Sequence, residues 1–185
     1  MLLSLLLLLQ VVVPVFESET GPGEGPYEYR AVATELAIHE QPSSTSRLVK
    51  TLPVKKDQLL TPDAERYRTM RAGSIRVLAK AEVTGRLIGK VSYLSINDYY
   101  SRKYPETKVP VRTRDVIDYL QYRAEGSCFV QIQGKVLDSA CPVYDKTHFK
   151  LEREPKTELW VHLPTPKDAA GWVLVTDAAI KRVYN

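Results

Sequence analysis

The sequence predicts a mainly β protein made of two small β-modules, joined by a linker that contains a short helix. Three observations predict it. The first is a repeated order of landmarks: a short strand running into Pro, a hydrophobic strand, then a turn closing on Gly-x-Val. One pass reads Leu36-Ala37-Ile38 to Pro42, then Ser74-Ile75-Arg76-Val77-Leu78-Ala79, then Gly89-Lys90-Val91. The other reads Val136-Leu137 to Cys141-Pro142, then Glu158-Leu159-Trp160-Val161-His162-Leu163, then Gly171-Trp172-Val173. Internal repeats bear on architecture before any single residue does. The second observation is an aromatic complement of 11 Tyr against 2 Trp and 3 Phe, which suits half-buried pleated surfaces. The third is the succession of short strand-like runs over residues 127–185, the pattern of a small barrel.

Residues 1–16 are an apolar run interrupted by Ser4, Gln10 and Pro14. A membrane span needs roughly 20 apolar residues, so the run reads as the core of a secretory signal peptide or as an N-terminal anchor; a misassigned start is the third possibility. No Lys or Arg precedes it. Residues 17–29, rich in Glu, Gly, Pro and Ser, read as a flexible tether. The first module spans 30–96. In it, Ile75, Val77 and Ala79 alternate with Arg76, Leu78 and Lys80, as a strand with two different faces requires. The linker spans 97–126. Thr113 as a cap, followed by Val116, Ile117 and Leu120 at helical spacing, with Gly126 as a stop, predicts a short amphipathic helix over 114–123. Asn97 to Tyr104 reads as a helical turn or a loop. The second module spans 127–185, with Pro164 and Pro166 in a turn where they lose no ladder bond.

The chain has 185 residues, 44% of them hydrophobic and 26% charged, which allows packed cores and argues against general disorder. The formal charge is +4, read either as a solvated surface or as a mild preference for anionic partners. Cys128 and Cys141 are the only cysteines. In an exported protein an even count suggests pairing, and closing so short a loop stabilises by roughly 3 kcal/mol; two buried free thiols are the alternative.

The order of landmarks resembles the bacterial SH3-like (SH3b) domain, which has an opening strand, a Pro-Ser loop, a strand carrying Trp and a closing Gly-Trp-Val. The first module supplies Leu36-Ala37-Ile38, Pro42-Ser43 and Gly89-Lys90-Val91. The second supplies Cys141-Pro142, Leu159-Trp160-Val161 and Gly171-Trp172-Val173. The first module departs from the pattern, with Arg76 and Lys90 where the tryptophans belong. The resemblance implies two tandem SH3-like barrels and an exported, non-enzymatic binding protein of the periplasm or cell envelope. Its implied partner is a peptidoglycan peptide, a glycan-peptide or an envelope protein, with membrane anchoring through residues 1–16 as an option. An export signal argues against a nucleic-acid partner. The alternative is a structural or assembly subunit whose aromatic faces are buried in protein contacts.

Trp160, Trp172 and Tyr144 are the candidate ligand-binding residues. On the strand 159–163, Leu159, Val161 and Leu163 share one face, while Trp160 and His162 share the other; Trp172 likewise opposes Val173 and Val175. If the aliphatic face is the core, the tryptophans lie outward or at a groove rim, where rings bind by stacking and area burial. Packing against the linker helix is the competing expectation. Tyr93, Tyr99, Tyr100 and Tyr104 form either an aromatic surface or the module interface. No catalytic residue, metal site or cofactor is expected. Cys128 does not head a helix that would lower its thiol pKa, and His39, His148, His162 and the cysteines lack metal-ligand spacing.

Overall fold

Alternating apolar and polar residues form strands along most of the chain, and the protein is mainly β. The computed structural model describes residues 14–19, 27–164 and 170–183. The apolar run up to residue 13, residues 20–26 of the expected tether, the turn around Pro166, and Tyr184 lie outside the described residues. In chain order the strands are β1 (Phe16–Ser18), β2 (Tyr29–Ala31), β3 (Glu35–His39), β4 (Leu48–Pro53), β5 (Leu59–Leu60) and β6 (Ala64–Arg71). Next come β7 (Gly73–Val77), β8 (Ala81–Gly89), β9 (Tyr93–Leu94), the helix α1 (Ile96–Ser101), β10 (Glu106–Val111), β11 (Val116–Tyr122), β12 (Ser127–Ile132) and β13 (Lys135–Ala140). After a 3-10 turn at Pro142–Tyr144, the chain forms β14 (Phe149–Arg153), β15 (Lys156–Leu163), β16 (Gly171–Leu174) and β17 (Ile180–Arg182).

These strands make three sheets among the described residues. The first is seven-stranded, in the order β4-β3-β16-β15-β6-β1-β9. The second, also seven-stranded, runs β10-β8-β13-β12-β11-β7-β14. The third is β17-β2-β5. None closes into a barrel.

The strands do not pair as two consecutive modules. Residues 29–71 and 156–183 share the first and third sheets, and their inward side chains form one core of Tyr29, Leu36, Ile38, Val161, Val173 and Ile180, among others. Residues 73–153 supply every strand of the second sheet and a separate core around Ile75, Val77, Ile117, Val130, Leu137 and Phe149, while their short β9 crosses to the edge of the first sheet beside β1. The second unit is therefore inserted into the first. The repeated landmarks mark strands correctly but say nothing about which strands are neighbours. β15 pairs antiparallel with β6 from Lys156↔Arg71 to His162↔Ala64, which brings the end of the chain back to its beginning. At the neck of the insertion the two crossings nearly touch. A Cβ on Gly73 would stand 2.5 Å from the Arg153 carbonyl oxygen and 2.7 Å from the Pro155 nitrogen, so only glycine fits there.

In place of the expected helix over 114–123 stands the strand β11, Val116–Tyr122. β11 lies between β12 and β7 in the middle of the second sheet. Its helical-looking spacing comes from a bulge, because the register shifts between Tyr119 and Gln121. Ile117 and Tyr119 therefore face one core, while Leu120 faces the opposite side of the sheet. Val, Ile and Tyr are strand formers, and two flanking strands satisfy the backbone on both sides. The helix of this region is instead α1, where Ser95 caps the start by accepting from the Asp98 amide at 3.0 Å. The supposed linker also supplies β10, which pairs with β8 along its whole length.

The N-terminal boundary shifts as well. Phe16 belongs to the fold: it is 0% exposed and packs on Phe129 with ring centroids 5.2 Å apart. β1 lies between β6 and β9, covering the otherwise open edge of each. Phe16 joins Ile88, Leu94, Tyr99, Leu120 and Val136 in a third core on the back of the second sheet. Glu17 and Ser18, assigned to the tether by composition, are strand residues. The Cys128–Cys141 disulfide is formed, with Cα atoms 5.0 Å apart, and ties the start of β12 to the residue after β13.

Candidate functional site

The candidate site grows from the outward face of the first sheet. On β15, Val161 and Leu163 enter the core, so Glu158, Trp160 and His162 point the other way. Register places His162 opposite Trp172 of β16, and Trp160 opposite Arg66 of β6. Arg68 stands opposite Glu158 on one side and Glu17 on the other. This face therefore carries both tryptophans, two histidines and two arginines.

The two tryptophans have different fates. Trp160 shares the expected face but is 0% exposed, not at a groove rim. Its indole Nε1 donates to Glu158 Oε2 at 3.0 Å, and the His39 ring stands nearly perpendicular to it with ring centroids 5.5 Å apart. Its burial came from neighbours that a single strand's alternation does not reveal. Trp172 is half-buried. The His162 ring lies 5.3 Å from it, and the Arg66 guanidinium carbon lies 5.1 Å from its ring centre. Arg66 also stands 5.0 Å from the ring of Tyr93, so the guanidinium is shared between two aromatics, an arrangement that fixes a long side chain. Close approach of β16 and β3 supports this corner. A Cβ on Gly171 would meet the His39 carbonyl oxygen at 2.6 Å, which accounts for the glycine before Trp172.

The rim is polar. Arg66 Nη2 donates to Glu19 Oε1 at 3.1 Å, and the Tyr93 hydroxyl donates to the same oxygen. The Ile96 amide donates to Glu19 Oε2 at 3.1 Å. Burial pushes Glu19 upward, but the bonds from Tyr93 and the Ile96 amide and the charge of Arg66 outweigh it, holding the carboxyl below its ordinary value. Tyr93 moves the opposite way, up to about 12, first through burial and then through its bond to Glu19. The phenol is thus a donor at neutral pH. His162 Nδ1 and Asp63 Oδ1 lie 2.6 Å apart at the other end of the face.

Tyr144 is not part of this surface. It sits on the 3-10 turn after β13, 61% exposed, beside a groove of about 460 Å³ that Thr84, Cys141, Pro142 and Phe149 also line. The structure therefore separates the three sequence candidates into a core residue, a rim residue on the first sheet and a loop residue of the inserted unit. Sequence reading missed Arg66, Tyr93 and Glu19 as members of one site. The available signal was the Arg66-x-Arg68 alternation, which puts both guanidiniums on the face opposite Tyr67.

Two further polar clusters brace the framework. Buried Asp138 accepts from Arg86 at 2.7 Å, Arg123 at 3.0 Å and the Tyr99 hydroxyl at 2.8 Å, fastening α1 to the second sheet. Glu65 accepts from the Tyr67 hydroxyl at 3.1 Å and Arg182 Nη2 at 2.8 Å, joining β6 to β17. Burial, followed by Glu65, pushes both the Tyr29 and Tyr67 phenols upward.

Among the described residues no group of three or more His, Cys, Asp or Glu is placed to hold a metal ion. Cys128 is in the disulfide, so in this form it carries no thiolate. No helix among the described residues is long and apolar enough to cross a membrane. The class established by the fold is a β-rich protein of several sheets with an inserted, disulfide-bonded unit. Comparisons with family models, curated proteins and solved structures find no match to this chain.

Proposed function

We propose that the chain is a non-enzymatic binding protein, exported to the bacterial envelope, that holds a cell-wall peptide, a glycan-peptide or a partner protein on the Trp172–Arg66–Tyr93 face. The observation that carries this reading is an aromatic pair, Trp172 and Tyr93, aligned by the one guanidinium of Arg66. Tyr93 is 42% exposed and Trp172 is half-buried, so each ring keeps area to bury against a ligand. The apolar N-terminal run and the formed disulfide support export. The SH3-like reading takes a changed form. Residues 29–71 and 156–183, which hold the Pro42-Ser43 loop and the Gly171-Trp172-Val173 strand, are proposed as one SH3-like module interrupted by residues 73–153. Anchoring, if retained, belongs to residues before Pro14, because Phe16 is committed to β1.

The test is binding of the purified chain to isolated cell wall and to soluble wall fragments. Trp172→Ala is expected to lower affinity about tenfold or more while leaving the melting temperature within a few degrees, since the side chain lies on the outward face. Unchanged affinity, or collapse of the fold, removes Trp172 from the site.

A further inference from the structure

Glu19 is an unusual neighbour for a binding surface. It follows β1 directly and turns its carboxylate into the corner beside Tyr93 and Arg66. Three donors meet the two oxygens of this one carboxylate: Arg66 Nη2, the Tyr93 hydroxyl and the Ile96 amide. The two side-chain donors are held by contacts independent of Glu19. Arg66 stacks against Trp172 and Tyr93, and its Nε is buried with no hydrogen-bond partner among the described residues. The rings therefore orient the guanidinium, and the carboxylate completes it. A groove of about 430 Å³ opens at this point, lined by Pro14, Glu17, Arg66, Ser92 and Tyr93, within the usual size of small-ligand pockets. Glu17 does not fill the corner, because its Oε1 accepts from Arg68 Nε at 3.2 Å. The Glu19 side chain is 25% exposed, so solvent and solutes reach it without opening β1.

We infer that Arg66, Tyr93 and the Ile96 amide form a carboxylate-binding subsite, that Glu19 is its built-in occupant, and that a peptide ending in a free carboxylate binds by displacing the Glu19 side chain. The inference rests on the proposed binding role of the Trp172 face and names the chemistry that face selects. A carboxylate tethered next to its receptor competes at high effective concentration. The external ligand then sees an affinity reduced by the fraction of molecules whose corner is vacant. Removing the internal competitor should raise affinity without adding any contact. The displaced carboxylate is near solvent, so its departure does not leave a charge buried and unpaired.

The experiment is calorimetric titration of the full chain with a short alanine-rich peptide ending in a free carboxylate, and with the same peptide amidated at its C-terminus. Glu19→Gln is expected to bind the acid peptide roughly tenfold tighter than the unaltered chain, with the amide weak throughout. In the Glu19→Gln background, Tyr93→Phe keeps the ring stacked on Arg66 but deletes one donor, and should lose several-fold in acid-peptide affinity. Equal affinity for acid and amide, or no gain in Glu19→Gln, overturns the subsite. If both peptides bind equally and Trp172→Ala still abolishes binding, the carboxylate inference fails while the binding face survives. If Trp172→Ala affects neither the peptides nor wall binding, the underlying reading fails as well.

Discussion

The inserted unit and the unit that hosts it are held together differently. Residues 73–153 form an unbroken stretch, and a disulfide crosses their core. The host depends on strands more than 80 residues apart in sequence, such as β6 and β15, and holds them by backbone ladders and by side chains, chiefly Glu65 with Arg182 and the tyrosines, without a disulfide. Bringing such distant segments together costs loop-closure entropy, but the cost grows only logarithmically with loop length. A prefolded insert shortens the effective loop further, because its two ends leave side by side at Gly73 and Arg153. The candidate site lies where the two meet: β6 and β16 of the host carry Arg66 and Trp172, while Tyr93 of β9 and the Ile96 amide come from residues 73–153. Each unit thus presents one aromatic ring to the site, Trp172 from the host and Tyr93 from the insert, and Arg66 bridges them.

Phe16 tests the comparison hardest, since it inserts from the host sheet into the back of the insert's sheet. Phe16→Ala is expected to cost about 3–5 kcal/mol in chemical denaturation, the usual range for a buried Phe. A cost below about 1 kcal/mol would mean that the two units are not joined through this core. Next, reducing the Cys128–Cys141 bond, or replacing both cysteines with Ser, should cost roughly 3 kcal/mol. Hydrogen exchange should place the loss in β12 and β13 and leave β15 and β16 protected. Loss of protection in both units at once would make them a single cooperative body.

Gly73→Ala addresses the neck and should destabilise by about 1–3 kcal/mol, because the new methyl group meets the Arg153 carbonyl and the Pro155 nitrogen. A thermal melt at the unaltered temperature would show that the crossings are free to spread.

The smallest effects are pH-dependent and confined to the site. The Glu19 carboxyl lies below its ordinary value of 4.5, so its contribution to stability is complete above that pH and is lost as the pH falls below it. Tyr93 is raised from 10 to about 12, so its contribution is complete below pH 10 and is lost between 10 and 12. Glu19→Gln should flatten the acid limb and Tyr93→Phe part of the alkaline limb, both measured as melting temperature against pH. Limbs unchanged by either substitution would detach these groups from the stability of the corner.

Individual strands were largely readable in advance. Alternation located β7 and the aliphatic face of β15, and the even cysteine count suggested a bond that the structure contains. Three features resisted. The Val116–Leu120 spacing imitates a helix because a bulge moves Leu120 to the other side of β11, and one strand read alone carries no record of a bulge. Phe16 looked like the end of an apolar leader, since composition cannot tell a residue discarded from one that fills a core 100 residues away. Trp160 was placed on the right face with the wrong exposure, because His39, Glu158 and the neighbouring strands bury it.

The sequence by itself determined the β class, the alternating faces and the two cysteines available for a cross-link, because periodicity and composition act over a few residues. Which strands became neighbours was decided only in three dimensions. The interruption of one unit by the other, and the meeting of Glu19, Arg66, Tyr93 and Trp172, depend on long-range pairing of β6 with β15 and of β1 with β9. Those choices follow from the joint packing of three cores, a property of the whole chain that no local window contains.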